Sequence, residues 1–368
     1  MAELLKNIYT REFFETFTNS LQQIVPNFNT SSFFTHIFNE EWEHKELKQR
    51  MRHIVIALQH HLSPEYAKNV DTIIQVIHQL QKDGVKENSL EYMFFPDFIE
   101  YYGIDEYDIS IEAIEKITQF TSCEFAIRPF ILAFPDKGIQ QMITWSRHQH
   151  PMVRRLSSEG CRPRLPWAMA LPFLKKDPTS ILPILKRLKN DESESVRRSV
   201  ANNLNDVSKD NPDIVIRLAH DWYGKSKNID WLVKHACRTL LKQGNMKTMK
   251  LFGYGAIDTI KIEDLQIHTP KVRIGSALEF TFRLSNTGNS SSKLRLEYGL
   301  YYQKANGSLS KKVFKISEKI YPEKSSTLIH RKQSFKIITT RKFHTGLHQL
   351  SIIINGHEFE KYNFELIT

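Results

Sequence analysis

Cysteine is scarce in this 368-residue chain, which has only Cys123, Cys161 and Cys237. An odd number without close-paired spacing offers neither a disulfide framework nor a structural zinc site, so buried, reduced thiols are expected. Long apolar runs are missing as well. No stretch approaches the roughly 18 uninterrupted apolar residues of a membrane span, and the opening MAELLKNIYTREFFE lacks the basic-then-apolar order of a signal peptide. A cytoplasmic chain that meets no membrane is expected. Neither a Walker loop nor a dinucleotide fingerprint occurs, which removes support for ATP or NAD chemistry. His148 and His150 lack a third convergent ligand at metal spacing. At 40% hydrophobic and 25% charged residues, the chain is nonetheless too apolar to be disordered and long enough for two packed domains.

Positive charge is absent from one part of the chain and concentrated in the rest. Residues 1–140 hold 12 Lys+Arg against 21 Asp+Glu, residues 141–255 hold 21 against 10, and residues 256–368 hold 18 against 10. The net charges are −9, +11 and +8. A chain merely rich in solvated lysines would spread its excess evenly. The asymmetry points instead to a polyanion facing the C-terminal two-thirds.

Up to about residue 255 the apolar residues recur at helical spacing, as in Val70, Ile73, Ile74, Ile77 and Leu80. Beyond Ala256 they alternate instead, as in Leu278, Phe280, Phe282 and Leu284 or Leu294, Leu296 and Tyr298. Turn signals at Asn286–Gly288 and Asn306–Gly307 separate these runs. The spacing predicts helices over 1–255 and about seven strands over 256–368, a β-sandwich of immunoglobulin type without the Cys and Trp hallmarks of antibody domains. Within the helical part, HPMVRRLSSEG (His150–Gly160), SESVRRSVANNL (Ser193–Leu204) and IDWLVKHACRTL (Ile229–Leu240) align as a repeat. Their valines, Val153, Val196 and Val233, lie 43 and 37 residues apart, the loose period of HEAT-type helical pairs. Arg154-Arg155, Arg197-Arg198 and Lys234-His235 follow these valines, so a stripe of positive charge matching a duplex backbone is expected.

The densest cluster of chemical groups is SSEGCRPRLPW, Ser157 to Trp167. Pro163 and Pro166 cannot continue a helix, so a helix should end near Gly160 and turn rigidly, presenting Arg162, Arg164 and Trp167 at a fixed angle. The bland alternative is an Arg–Glu pair bracing a turn over a core tryptophan. A second carboxylate, Glu124, stands in the apolar TSCEFAIRPF segment four residues before Arg128, where an i,i+4 surface ion pair on one helix is the competing explanation.

These segments, together with the opening LLKNIYTREFF, resemble the AlkC-type DNA alkylation repair glycosylases, a branch of the HEAT-like-repeat alkylpurine DNA glycosylases. The resemblance spans essentially the whole chain, and HPMVRRLSSEGCRPRLPWA is its most specific block. It implies a cytoplasmic bacterial base-excision enzyme, at the nucleoid when acting, that removes 3-methyladenine and, in this branch, 3-methylcytosine or 1-methyladenine. No metal or nucleotide cofactor is implied. The expected partner is double-stranded DNA carrying alkylated bases, met by a monomer, with the lesion read while still stacked. Carried over by motif, the pocket acids fall on Glu124 and Glu159 and the pocket aromatic on Trp167. DNA contacts fall, by repeat position, on Arg154, Arg155, Arg162, Arg164, Arg197 and Arg198. Basic segments at Lys311-Lys312, Arg331-Lys332 and Arg341-Lys342 suggest that the β-domain clamps the duplex. The competing reading is a HEAT-repeat DNA-binding or scaffold protein without catalysis, in which both glutamates are structural.

Overall fold

The computed structural model describes residues 4–337 and 342–368, so Arg341 lies outside the described residues. Sixteen α-helices among them precede eight strands. The helices are α1 (Arg11–Ile24), α2 (Thr30–Ile37), α3 (Leu47–His61), α4 (Tyr66–Lys82), α5 (Phe94–Tyr102), α6 (Tyr107–Ile117), α7 (Ile127–Ala133) and α8 (Pro135–Trp145). There follow α9 (Pro151–Glu159), α10 (Pro172–Lys176), α11 (Leu182–Leu188), α12 (Glu194–Val207), α13 (Pro212–Trp222), α14 (Lys227–Ala236), α15 (Arg238–Lys242) and α16 (Met246–Leu251). None is long and apolar enough to cross a membrane.

Local chemistry starts these helices where the structure places them. Pro135, Pro151 and Pro212 occupy the first turns of α8, α9 and α13, where a missing N–H costs nothing. Thr10 and Asn29 cap α1 and α2 by accepting from backbone N–H groups. The apolar stripe of α4 buries Val70, Ile73, Val76, Ile77 and Leu80. The first two segments aligned as a repeat become α9 and α12, while the third runs from α14 into α15, and α12 packs against both α9 and α14. Val153, Val196 and Val233 are all buried in that stack. The three cysteines are free and buried.

By packing, the chain divides into one unit ending at Ala236 and a second beginning at Cys237. The sequence pattern places its change after Gly255, and the first strand begins at Ile260. Helices α15 and α16 go with the strands. At Gly244, which has φ of 72°, a Cβ would lie 2.7 Å from the carbonyl oxygen of Gly356, so the backbones meet there because neither residue has a side chain.

The strands are β1 (Ile260–Ile267), β2 (Lys271–Arg273), β3 (Ala277–Asn286), β4 (Ser292–Gln303), β5 (Leu309–Tyr321), β6 (Ser325–Ser334), β7 (Gly346–Ile354) and β8 (His357–Ile367). They form a three-stranded sheet, β1-β3-β6, and a five-stranded sheet, β2-β8-β7-β4-β5. The alternating Leu278, Phe280, Phe282 and Leu284 from one sheet and Leu294, Leu296 and Leu300 from the other share a single core. The fold class is therefore the one the pattern predicts, a helical repeat followed by a sandwich. The strand beyond the expected seven is β2, three residues long and parallel to β8, too short to leave an alternating signature.

The register of α14 is directly testable. Leu232 is buried while its neighbour Trp231 is 40% exposed. Leu232→Ala is expected to lower the unfolding free energy by about 2–5 kcal/mol in denaturant titrations, and Trp231→Ala by about 1 kcal/mol or less. Equal losses would mean that the repeat does not stack through this face.

Candidate active site

The site is built around the end of α9. His150 caps the helix, its Nδ1 accepting from the Met152 N–H at 3.3 Å, and Pro151 opens it. At the other end Glu159 closes the helix and Gly160 caps it. A Cβ on Gly160 would lie 2.7 Å from Cγ2 of Ile127, so only glycine allows α7 and α9 to come this close. A carboxylate at a helix C-terminus opposes the helix dipole by about 0.3–1 kcal/mol. The offsetting partner is Arg162, whose Nη1 donates to Glu159 Oε1 at 2.6 Å.

Arg162 serves a second carboxylate. Its Nε and Nη2 both reach Asp206 Oδ2 at 2.8 Å, and Lys209 approaches the other oxygen of Asp206 at 2.9 Å. Burial disfavours the charge on Arg162, but Glu159 and Asp206 outweigh it and hold the guanidinium above its ordinary value. Beneath the turn lies Arg128, fully buried, which donates to the carbonyls of Met169 at 2.7 Å, Gly160 at 2.8 Å and Arg162 at 2.9 Å. Burial pulls its pKa down to about 10. This buried guanidinium is bound to backbone oxygens, and it splints the segment 160–169 that Pro163 and Pro166 prevent from being helical.

Arg128 is thus not the partner of Glu124. Helix α7 begins only at Ile127, so Glu124 sits in the preceding turn and the expected i,i+4 pair does not form. Glu124 instead accepts from Arg155 Nη1 at 2.7 Å and from the Ser122 hydroxyl at 2.5 Å. Glu124, Glu159, Arg162 and Trp167 line one cavity of about 340 Å³, together with Lys48, Met51, Met93, Phe125 and Leu165. Trp167 is no core residue, being 73% exposed. It has φ of 63°, a left-handed conformation that costs a non-glycine residue about 1–2 kcal/mol. The carbonyl of this strained residue accepts from the ammonium of Lys48.

The six arginines do not form one uniform stripe. Arg154 and Arg197, equivalent in the repeat, both fold back onto the turn before their own helix. Arg154 Nη1 donates to the carbonyls of His148 and Gln149 at 3.0 and 2.7 Å. Arg197 Nη1 does the same to Asp191 and Glu192 at 2.6 and 2.8 Å. Arg154 also grips Asp191 with two hydrogen bonds of 2.7 and 3.0 Å, joining consecutive repeats. Arg155 and Arg162 hold the two glutamates. The Arg198 side chain, paired with Glu194, is exposed, and that of Arg164, paired with Asp210, is half-buried.

Asp206, Asp210 and Lys48 were not picked out by motif reading. One signal was available for the aspartates: SSEGCRPRLPW holds two arginines after one glutamate, so further carboxylates had to come from elsewhere, and Asp206 and Asp210 share the spacing of one helical turn. Among the described residues, no group of three or more His, Cys, Asp or Glu is placed to hold a metal ion.

Comparison with known proteins gives this geometry a context. Residues 103–240 match a family model described as DNA alkylation repair enzyme. Residues 261–368 match one described as the C-terminal Ig-like domain of the uncharacterised protein YhaZ. The chain is 40% identical over 366 residues to YhaZ of Bacillus subtilis, with all of both chains covered. It also superimposes with a TM-score of 0.92 and 32% identity, over the full length of both chains, on the alkylpurine DNA glycosylase AlkC of Pseudomonas fluorescens, solved bound to DNA containing an abasic site analog.

An adjoining cavity of about 260 Å³ shares Lys48, Met51, Met93 and Phe125 and adds Arg52, Asp97 and Glu100. Arg52 is committed to Asp97 at 2.8 and 2.9 Å and lies 3.9 Å from Glu100. Burial pushes the Glu100 carboxyl up to about 7. A raised carboxyl binds its proton more tightly folded than unfolded, so stability falls as pH rises from the ordinary value near 4.5 through 7. Glu100→Gln is accordingly expected to raise Tm at pH 8 and to gain little at pH 5. A gain that is equal at both values would show that Glu100 is not held protonated.

Proposed function

Given that the chain belongs to the AlkC-type family of DNA alkylation repair glycosylases, we propose that it hydrolyses the N-glycosidic bond of cationic alkylated bases in double-stranded DNA. 3-Methyladenine is the first substrate, with 3-methylcytosine and 1-methyladenine beside it. The observation that carries the reading is a single cavity lined by two carboxylates, each held by an arginine, and by one exposed indole.

An N3-alkylated base already carries positive charge and leaves without a strong general acid. As the C1′–N bond breaks, the base leaves neutral and its positive charge passes to the sugar, so the site has to stabilise an oxocarbenium-like sugar. Glu159 and Asp206 are balanced by Arg162 and Lys209, so what acts on the bound base is the local field of the carboxylates that line the cavity. A carboxylate about 4 Å from the developing cation contributes on the order of 4 kcal/mol at an effective dielectric of about 20. The π face of Trp167 contributes about 0.5–2 kcal/mol. The carboxylates therefore carry the rate, Glu124 or Glu159 orienting the attacking water, and Trp167 carries preference among lesions.

The exposure of Trp167 also favours reading the lesion within the stack, because enzymes that extrude a base enclose it between buried side chains. Backbone contacts are assigned to the exposed Arg198 and the half-buried Arg164, while Arg154, Arg155, Arg162 and Arg197 shape the surface behind them. In the β-domain, Lys304, Lys312, Lys342 and His344 surround a cavity of about 200 Å³, which is assigned to a phosphate.

The test is release of base from methylated duplex DNA. Glu124→Gln and Glu159→Gln are each expected to lower the single-turnover rate by at least about tenfold with DNA binding nearly intact. Unchanged rates for both would remove the catalytic assignment of the two glutamates, and no release by the unsubstituted protein would leave a DNA-binding scaffold. Trp167→Ala should weaken discrimination between damaged and undamaged DNA more than overall affinity, which phosphates supply. Replacing Lys304, Lys312 and Lys342 together by Met should flatten the salt dependence of binding by about 0.9 in log–log slope for each phosphate no longer neutralised. An unchanged slope would give the β-domain another role.

A further inference from the structure

Trp167 stands at the rim of the cavity with its ring in solvent, so packing does not fix where the indole points. Its backbone must do so. That backbone is in the left-handed region, and on its C-terminal side the chain is tied by the Ala168 N–H to the Leu165 carbonyl at 3.3 Å and by Arg128 to the Met169 carbonyl. Among the described residues, the side chain that hydrogen-bonds Trp167 itself is Lys48, 119 residues earlier in the sequence.

Lys48 is the second residue of α3, a helix whose start is fixed by reciprocal bonds between Glu46 and Gln49. An ammonium in the first turn opposes the helix dipole, so its position does nothing for α3. What it does is bridge two walls of the cavity. The Nζ lies 4.4 Å from the centroid of the Phe125 ring, next to Glu124, while donating to the Trp167 carbonyl. Lys48 also lines both adjoining cavities.

From this bridge we infer that Lys48 is a positioning residue, a tether that sets the spacing between the Glu124 wall and the Trp167 indole. The inference rests on the glycosylase reading for its catalytic consequence, but not for the tether itself.

The experiment uses the full-length Lys48→Met and Lys48→Arg proteins, each with and without a second substitution at Trp167. The chain has five tryptophans, so subtracting the emission of a Trp167→Phe counterpart isolates the indole of interest. Lys48→Met should lower the anisotropy of that component and raise its collisional quenching, and Lys48→Arg should restore both. Single-turnover release of 3-methyladenine should fall by about 3- to 30-fold in Lys48→Met, the scale of a sub-ångström to ångström misplacement. Affinity for undamaged duplex should change less than about twofold. In a Trp167→Ala background the same substitution should cost nothing further. An unmoved Trp167 signal would overturn the tether. So would a loss that persists in full without the indole, or one confined to affinity with a salt slope reduced by about 0.9, which would assign Lys48 to a phosphate. If the Trp167 signal moves but the unsubstituted protein releases no base, the tether stands and the glycosylase reading falls.

Discussion

Arg162 lies between Glu159 at the end of α9 and Asp206 in the last turn of α12, and the rest of the site hangs from it. The guanidinium is buried, and its two carboxylates come from consecutive members of the repeat. Removing one partner of such a group typically costs about 3–5 kcal/mol, because the charge left behind has no water to return to. One ion cluster therefore joins the stack, aims Glu159 into the cavity and fixes the start of the turn that carries Trp167. Arg128 supports the same turn from beneath through three carbonyls.

Repetition supplies this arrangement at little cost in sequence. The first arginine of the pairs in α9 and α12 folds back to brace its own helix, at identical offsets in both repeats. The second faces a carboxylate. In α9 that carboxylate is Glu124, inside the cavity, whereas in α12 it is Glu194, one helical turn away on an accessible surface. The same motif thus yields a site in one repeat and a surface ion pair in the next.

Much of this was legible beforehand, and for physical reasons. A strand buried on one face must alternate, and Leu278 to Leu284 do. Pro163 and Pro166 must break a helix, and α9 stops at Glu159. The sequence pattern also directed attention to Glu124, Glu159 and Trp167, which line a common cavity. What periodicity does not encode is which partner a long side chain chooses. Arg128 is four residues from Glu124 yet turns inward, because α7 has not yet begun at Glu124. Asp206 follows the aligned repeat segment by two residues and Lys48 belongs to a segment with no motif, and their roles depend on hydrogen bonds that span 44 and 119 residues. The strand β2 escaped because three residues carry no period.

In the proposed reaction, negative charge held by paired carboxylates acts on a positive charge already present in the lesion. This is tested most directly with two duplexes that differ only in that charge, one containing 3-methyladenine and the other an isosteric neutral base of the same shape. The account predicts that the cationic base is bound more tightly, by about 2- to 30-fold from the indole face, and that only the cationic base is released in single-turnover reactions. Release of both at comparable rates would contradict it.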